Sequence, residues 1–350
     1  IGLVLGGLLA LAGLLGGQQG IPVLGAEGET ARLAWAYFRW IAMGVPLIFI
    51  SSVLRAVLTG EGDARSPMLV ITLGTLINLA LDPLFIFVFG WGIEGAAWAT
   101  LVAQSVSCAL LILLVARRRR VFAHFRLASV WPRWHVLSAV AGIGLPAALG
   151  QMVMAVGSAL NNWLLSTFGQ VTVAGYGAAS RVDLLVVLPI IGLGGGALSV
   201  VGMFAGAGRV DLVRSTTIYT YRSVVIVALI AGGSAFLLSD MILSLFTAEA
   251  QAIAVGKQYL GFMVFAYPLM AFGITSGRIL QGLGYGLPTL IITMVRVLLV
   301  GVGGAYVSVL VFNAPLSAVW ISIISGGLVA NILAALWVRH YVWLRDPTGG

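Results

Sequence analysis

Long apolar stretches run through this chain from end to end, broken by short turns of glycine, proline and charged residues. A helix crosses a hydrocarbon layer roughly 30 Å thick with about 20 residues. The breaks mark ten such helices, near residues 1–23, 33–58, 67–90, 93–116, 136–165, 172–205, 217–246, 253–281, 287–312 and 315–341. The expected fold is all-α and polytopic, a helical bundle in a membrane.

Composition agrees. Of 350 residues, 60% are hydrophobic and 9% charged, against about 25% charged in a soluble domain. The first stretch lacks the basic start and small-residue cleavage site of a removable leader. Cys108 is the single cysteine, so neither an internal disulfide nor a cysteine-rich metal site is expected. His124, His135 and His340 are scattered without metal-ligand spacing. GLGGGA at 192–197 looks like a dinucleotide fingerprint, but no strand precedes it. No nucleophile with a base, paired acids or histidine cluster falls at membrane depth, so neither an enzyme nor a cofactor is expected.

The formal charge is +8, and much of it is gathered in one place. Arg117, Arg118, Arg119, Arg120, Arg126 and Arg133 lie between the fourth and fifth stretches, interleaved with Phe122, Phe125, Trp131 and Trp134. Beside a membrane span, such a cluster marks the cytoplasmic side and a headgroup layer rather than a nucleic-acid partner. Alternate loops follow: GEGDARSP, GAGRVDLVR and the tail with Arg339 and Arg345 are basic, whereas GAEGE, GWGIEG, FGQVTVAG, FTAEAQ and FNAPLS carry no arginine. This register predicts a multi-pass protein of the inner (plasma) membrane with the 118–135 segment and the C-terminus in the cytoplasm.

The chain also repeats itself. Ala26, Glu27, Tyr37, Pro46, Gly60 and Gly62 recur 222 residues later as Ala248, Glu249, Tyr259, Pro268, Gly282 and Gly284. One deleted residue then aligns Pro67 with Pro288. Parallel repeats of this kind build transporters from two lobes facing a central path. The expected division is a four-helix lobe at 1–117, a basic linker at 118–135 and a six-helix lobe at 136–350. The offset puts first-lobe counterparts of the fifth and sixth helices before Ile1, so the expectation is ten helices of a twelve-helix protein, the first two missing.

Asn78 and Asp82 stand out because the repeat does not contain them; the aligned positions are Leu299 and Gly303. A carboxylate at bilayer depth costs about 2.5–3.5 kcal/mol even on lenient scales, and marks an ion or substrate path more often than a brace. Four residues apart, the two share a helix face. Asp82 lies about 12 Å in from Gly90, and Thr100 about 10 Å in from Ile93 on the returning helix, at 1.5 Å per residue. An acid, an amide and a hydroxyl at one depth offer hard oxygen ligands for Na⁺, or a protonatable carboxyl with hydrogen-bond support.

Taken in order, LTGEGDARSPM, NLALDPLFIFVFGWGIEGAAWATLVAQ, GLPAALGQ, AGYGAASRVD, GAGRVD and LQGLGYGLP resemble the multidrug and toxic compound extrusion transporters, nearer the DinF-like than the NorM-like branch. The resemblance covers essentially the whole chain. It implies two six-helix lobes, alternating access, and antiport of amphipathic or cationic drugs against H⁺ or Na⁺. Its first-lobe cation site resembles Asn78, Asp82 and Thr100, completed in the family by an acid on the first helix. The second-lobe glutamate of NorM-like members has no counterpart here, where Gln151 and Met154 stand.

Gln104, Gln151, Met154, Asn161, Gln281 and Arg296 are the candidates for a substrate cavity, with Met152, Met263, Met270, Phe204, Phe265 and Tyr267 as adaptable walls. Asn162 and Asn331 are further amides within the spans. Arg181 and Asp183 read as an anchor at the membrane interface. The alternative function is a lipid-linked saccharide flippase of the same superfamily, favoured only by Arg296. Expected partners are small amphipathic organic substrates and membrane lipids, with the protein a monomer.

Overall fold

The computed structural model describes residues 2–23, 27–117 and 134–344. Arg118 to Arg133, with most of the basic linker, and Arg345 fall outside the described residues. Within them are ten helical segments long and apolar enough to span a membrane, and no strand. Large apolar side chains point outward, with Phe87 78% and Leu237 83% exposed, as suits helices whose solvent is lipid. This is a multi-pass membrane protein.

The chain forms two compact units, Ile1–Pro132 and Arg133–Gly350. In the first, α1 (Gly2–Val23), α2 (Gly28–Gly60), α3 (Arg65–Pro83) and α4 (Gly92–Arg117) follow one another. The middle of this unit is α4, packed on both α2 and α3. Leu54, Leu58, Val70, Leu111 and Val115 make its core.

The second unit holds α5 (Trp134–Ser166), α6 (Gln170–Gly206), α7 (Val210–Leu237), a short α8 (Ser239–Ser244), α9 (Ala250–Gly282), α10 (Gly286–Met294), α11 (Gly303–Tyr306) and α12 (Ser317–Val338). Its pillar is α9, the most buried span, which touches α6, α7, α10 and α12. Tyr259, Tyr267 and Trp320 sit at the heart of the larger core cluster.

The sequence repeat is a structural one. Helices α2 and α9 both have 33 residues, both begin just after a glutamate, and both carry proline as their nineteenth residue. Each then ends on a glycine, and the chain reverses through Gly62 at φ 86° or Gly284 at φ 91°, a conformation that glycine adopts without cost.

The seventh and ninth stretches depart most from the expected pattern. The seventh helix was expected at 217–246 but runs from Val210 to Leu237 and breaks before α8. Apolarity marks only its lipid-facing part, whereas the polar first turns continue beyond it. There Arg214 donates to the carbonyls of Val342 (3.0 Å) and Trp343 (3.1 Å), satisfying the end of the last helix. The ninth span is continuous but not uniform, widening into π turns at Val295–Val302 and Val307–Val311 on either side of α11. No periodicity of apolar residues distinguishes such turns from α-helix.

Candidate ion and substrate sites

In the first unit, α3 and α4 are joined by a tight turn at Gly90 and Gly92, both with positive φ. Pro83 has no N–H to donate to the Leu79 carbonyl, and just beyond it the helix widens into a π turn, Leu84–Val88. One turn before Pro83, Asn78 donates from Nδ2 to Asp82 Oδ1 at 3.2 Å and approaches Thr100 Oγ1 at 3.5 Å. The Thr100 hydroxyl donates to the Ala96 carbonyl at 3.0 Å, so its lone pairs face the amide. The three residues singled out in sequence therefore come together, all half-buried.

Asn78 and Thr100 line a cavity of about 210 Å³ with Ser51, Arg55, Gln104 and Ser107; Asp82 is not among its walls and joins it through Asn78. Gln104 lies in this unit, donating to Ser51 Oγ at 3.2 Å. Arg55 is held by the Ser51 carbonyl and the Ser52 hydroxyl.

Among the cavities of the second unit, two take in the candidate substrate residues. One, of about 260 Å³, is lined by Met154, Asn161, Tyr176, Asp183, Met263 and Arg296 among others. The other, of about 310 Å³, is lined by Gln151, Met154, Arg278, Gln281, Arg296 and Asn331 among others. Met154 and Arg296 belong to both. Of the expected adaptable walls, Met270 lines both cavities, Met263 one of them, while Tyr267 is fully buried in the core.

Asp183 is not the interfacial anchor that its neighbourhood in sequence suggests. Its two carboxylate oxygens accept hydrogen bonds from Tyr259 and Tyr267, both at 2.5 Å, which ties α6 to α9 from inside the bundle. Arg181 is exposed, its guanidinium carbon 5.1 Å from the centroid of the Phe246 ring. Two residues along a helix is a rotation of about 200°, which separates the pair completely.

Arg278 is a second residue that sequence alone does not single out, because a charge near the end of a span reads as a topology signal. The structure turns it into the cavity of about 310 Å³. Among the described residues no group of three or more His, Cys, Asp or Glu side chains is arranged to hold a metal ion.

The MatE family model matches residues 1–84 and 146–307. The chain is 26% identical over 263 residues to the "Probable multidrug resistance protein YpnP" of Bacillus subtilis, a match that takes in 75% of this chain and 58% of that protein. It is 27% identical over 321 residues to the "Probable multidrug resistance protein NorM" of Thermotoga maritima, 91% of this chain and 69% of that one. Among solved structures, the outward-facing conformation of a multidrug resistance MATE family transporter of the MOP superfamily superposes with a TM-score of 0.92 at 30% identity, over 97% of this chain and 76% of that chain.

Proposed function

Because the chain belongs to the MatE family of membrane transporters, we propose that it serves as a cation-coupled antiporter exporting amphipathic organic compounds by alternating access. The observation that carries this reading is the meeting of Asp82, Asn78 and Thr100 within two apolar spans, next to a polar cavity. A carboxylate at that depth is retained for a task or a partner. No ion pair takes it up among the described residues, where its hydrogen bond comes from an amide.

The coupling ion is H⁺ or Na⁺. As it stands, the Asn78 amide points its donor at the carboxylate. A proton can join or leave Asp82 without moving that amide. A sodium ion would need the amide reversed so that Oδ1, Thr100 Oγ1 and the carboxylate all present oxygen. Binding of either ion must favour one of two arrangements for transport to be coupled.

The cavities of the second unit supply the substrate space, with Met154 and Met270 as walls that repack around different shapes. The names of the relatives favour drug export over lipid-linked saccharide flipping. The protein acts as a monomer in the plasma membrane, with residues 118–135 and the C-terminus in the cytoplasm.

Reconstitution into liposomes tests this. With an imposed H⁺ or Na⁺ gradient, the wild type concentrates at least one of two amphipathic fluorophores, cationic ethidium or anionic 8-anilinonaphthalene-1-sulfonate, against its own gradient, and Asp82→Asn retains downhill exchange but loses uphill movement. Uphill transport of equal rate by Asp82→Asn would remove Asp82 from the coupling mechanism.

A further inference from the structure

Two arginines face one chamber in the second unit. Arg278, on α9, and Arg296, on the π turns that follow α10, both line the cavity of about 310 Å³. Neither forms an ion pair among the described residues. Arg278 Nη1 donates to Gln281 Oε1 at a long 3.4 Å, and Arg296 Nη2 meets the Met154 sulfur at 3.4 Å. No aspartate or glutamate is among the residues lining this cavity.

An unpaired guanidinium inside a span is expensive, and two in one chamber repel each other. Snorkelling does not relieve Arg296, the eleventh residue of a span that starts at Gly286, about 15 Å in at 1.5 Å per residue. The walls around the two charges divide by chemistry. Gln151 and Asn331 contribute amides, while Met154, Met270, Val187 and Ile191 are apolar.

We propose that this cavity binds an amphipathic organic anion, its carboxylate, sulfonate or phosphate head held by Arg278 and Arg296 and its apolar body laid along Met154 and Met270. Guanidinium groups suit such heads because their N–H forks match the spacing of the oxyanion oxygens. The proposal rests on the reading of this cavity as substrate space and adds the charge of the substrate.

The test is binding of naphthalene-2-sulfonate to the full chain in phosphatidylcholine nanodiscs, beside its uncharged isostere 2-(methylsulfonyl)naphthalene. The sulfonate is expected to bind at least about tenfold more tightly, the worth of one charge-assisted hydrogen bond. Arg278→Gln and Arg296→Gln each remove about that factor, and Arg296→Lys retains most of it. Displacement by inorganic phosphate identifies a free anion as the source of the head, and displacement only in discs containing phosphatidylglycerol identifies a lipid. Equal affinity of the wild type for the two naphthalenes overturns the proposal and requires no variant to fold. Uphill export of either fluorophore without that discrimination removes this inference alone, and discrimination without export of either removes the transport reading alone.

Discussion

The Tyr267 hydroxyl donates to Asp183 Oδ1 across the packed faces of α6 and α9, while Tyr259 donates to the other carboxylate oxygen. Tyr259 and Tyr267 are almost fully buried, while Asp183 also lines the cavity of about 260 Å³. Tyr267→Phe is expected to destabilise the protein by about 1–3 kcal/mol, the cost of leaving a buried polar group short of a partner. Combining it with Tyr259→Phe should cost more than the two single changes together, since the carboxylate then loses both donors. Thermal unfolding of the purified single and double variants measures this; additive, sub-kilocalorie effects would show that the carboxylate finds other donors.

This cluster also shows where sequence reading stops. Spans, repeat and the Asn78–Asp82–Thr100 group were legible because each rests on a period or a depth along one or two consecutive helices. Asp183 was not, since its partners lie 76 and 84 residues away and its sequence neighbour Arg181 faces the opposite side. The π turns around α11 and the entry of Arg278 into a cavity were hidden for the same reason: both depend on how α9, α10 and α12 pack, not on their composition.

Asn78 gives a finer test of the proposed coupling site than the acid itself. Asn78→Val keeps the carboxylate but removes its donor, a hydrogen bond to a charged group worth about 1.5–3 kcal/mol. With Na⁺ as the driving ion, the concentration needed for half-maximal export is expected to rise by about tenfold or more, because an amide oxygen ligand is lost; with H⁺ it is expected to fall, because the donor that favours the charged carboxylate is gone. A variant that exports with the wild-type ion dependence would leave Asn78 as a helix brace only.

Two adjacent glycines on α12 separate packing from function. A Cβ on Gly326 would run into the Arg296 carbonyl oxygen and lie 3.0 Å from the Gly301 nitrogen, so α12 closes directly on the π turn that carries Arg296. A Cβ on Gly327 would meet nothing within 4 Å. Gly326→Ala must push backbone from backbone and is expected to cost at least about 1–3 kcal/mol, the range for overpacking. Gly327→Ala should be near neutral or slightly stabilising, because alanine is the better helix former. Unfolding curves of the two variants side by side check the close approach, which equal stabilities would disprove.

At the other unit, Glu94 at the start of α4 accepts from Arg39 Nη2 at 2.9 Å and from Trp40 Nε1 at 3.2 Å, joining α4 to α2 next to the Gly90–Gly92 turn. Trp40 is fixed independently by its contact with Trp98, ring centroids 4.4 Å apart. The side chains of Arg39 and Glu94 are 41% and 38% exposed, which places the pair among partly solvated ion pairs. Such pairs couple by about 0.2–1 kcal/mol and weaken with salt. Arg39 Nε is nevertheless buried without a partner, so one edge of the guanidinium is already out of the solvent. A double-mutant cycle with Arg39→Ala and Glu94→Ala distinguishes the two situations. A coupling under about 1 kcal/mol that fades in high salt is the expected outcome. A coupling of about 3 kcal/mol or more, insensitive to salt, would instead mean that the pair is desolvated and that α2 and α4 depend on it for their alignment.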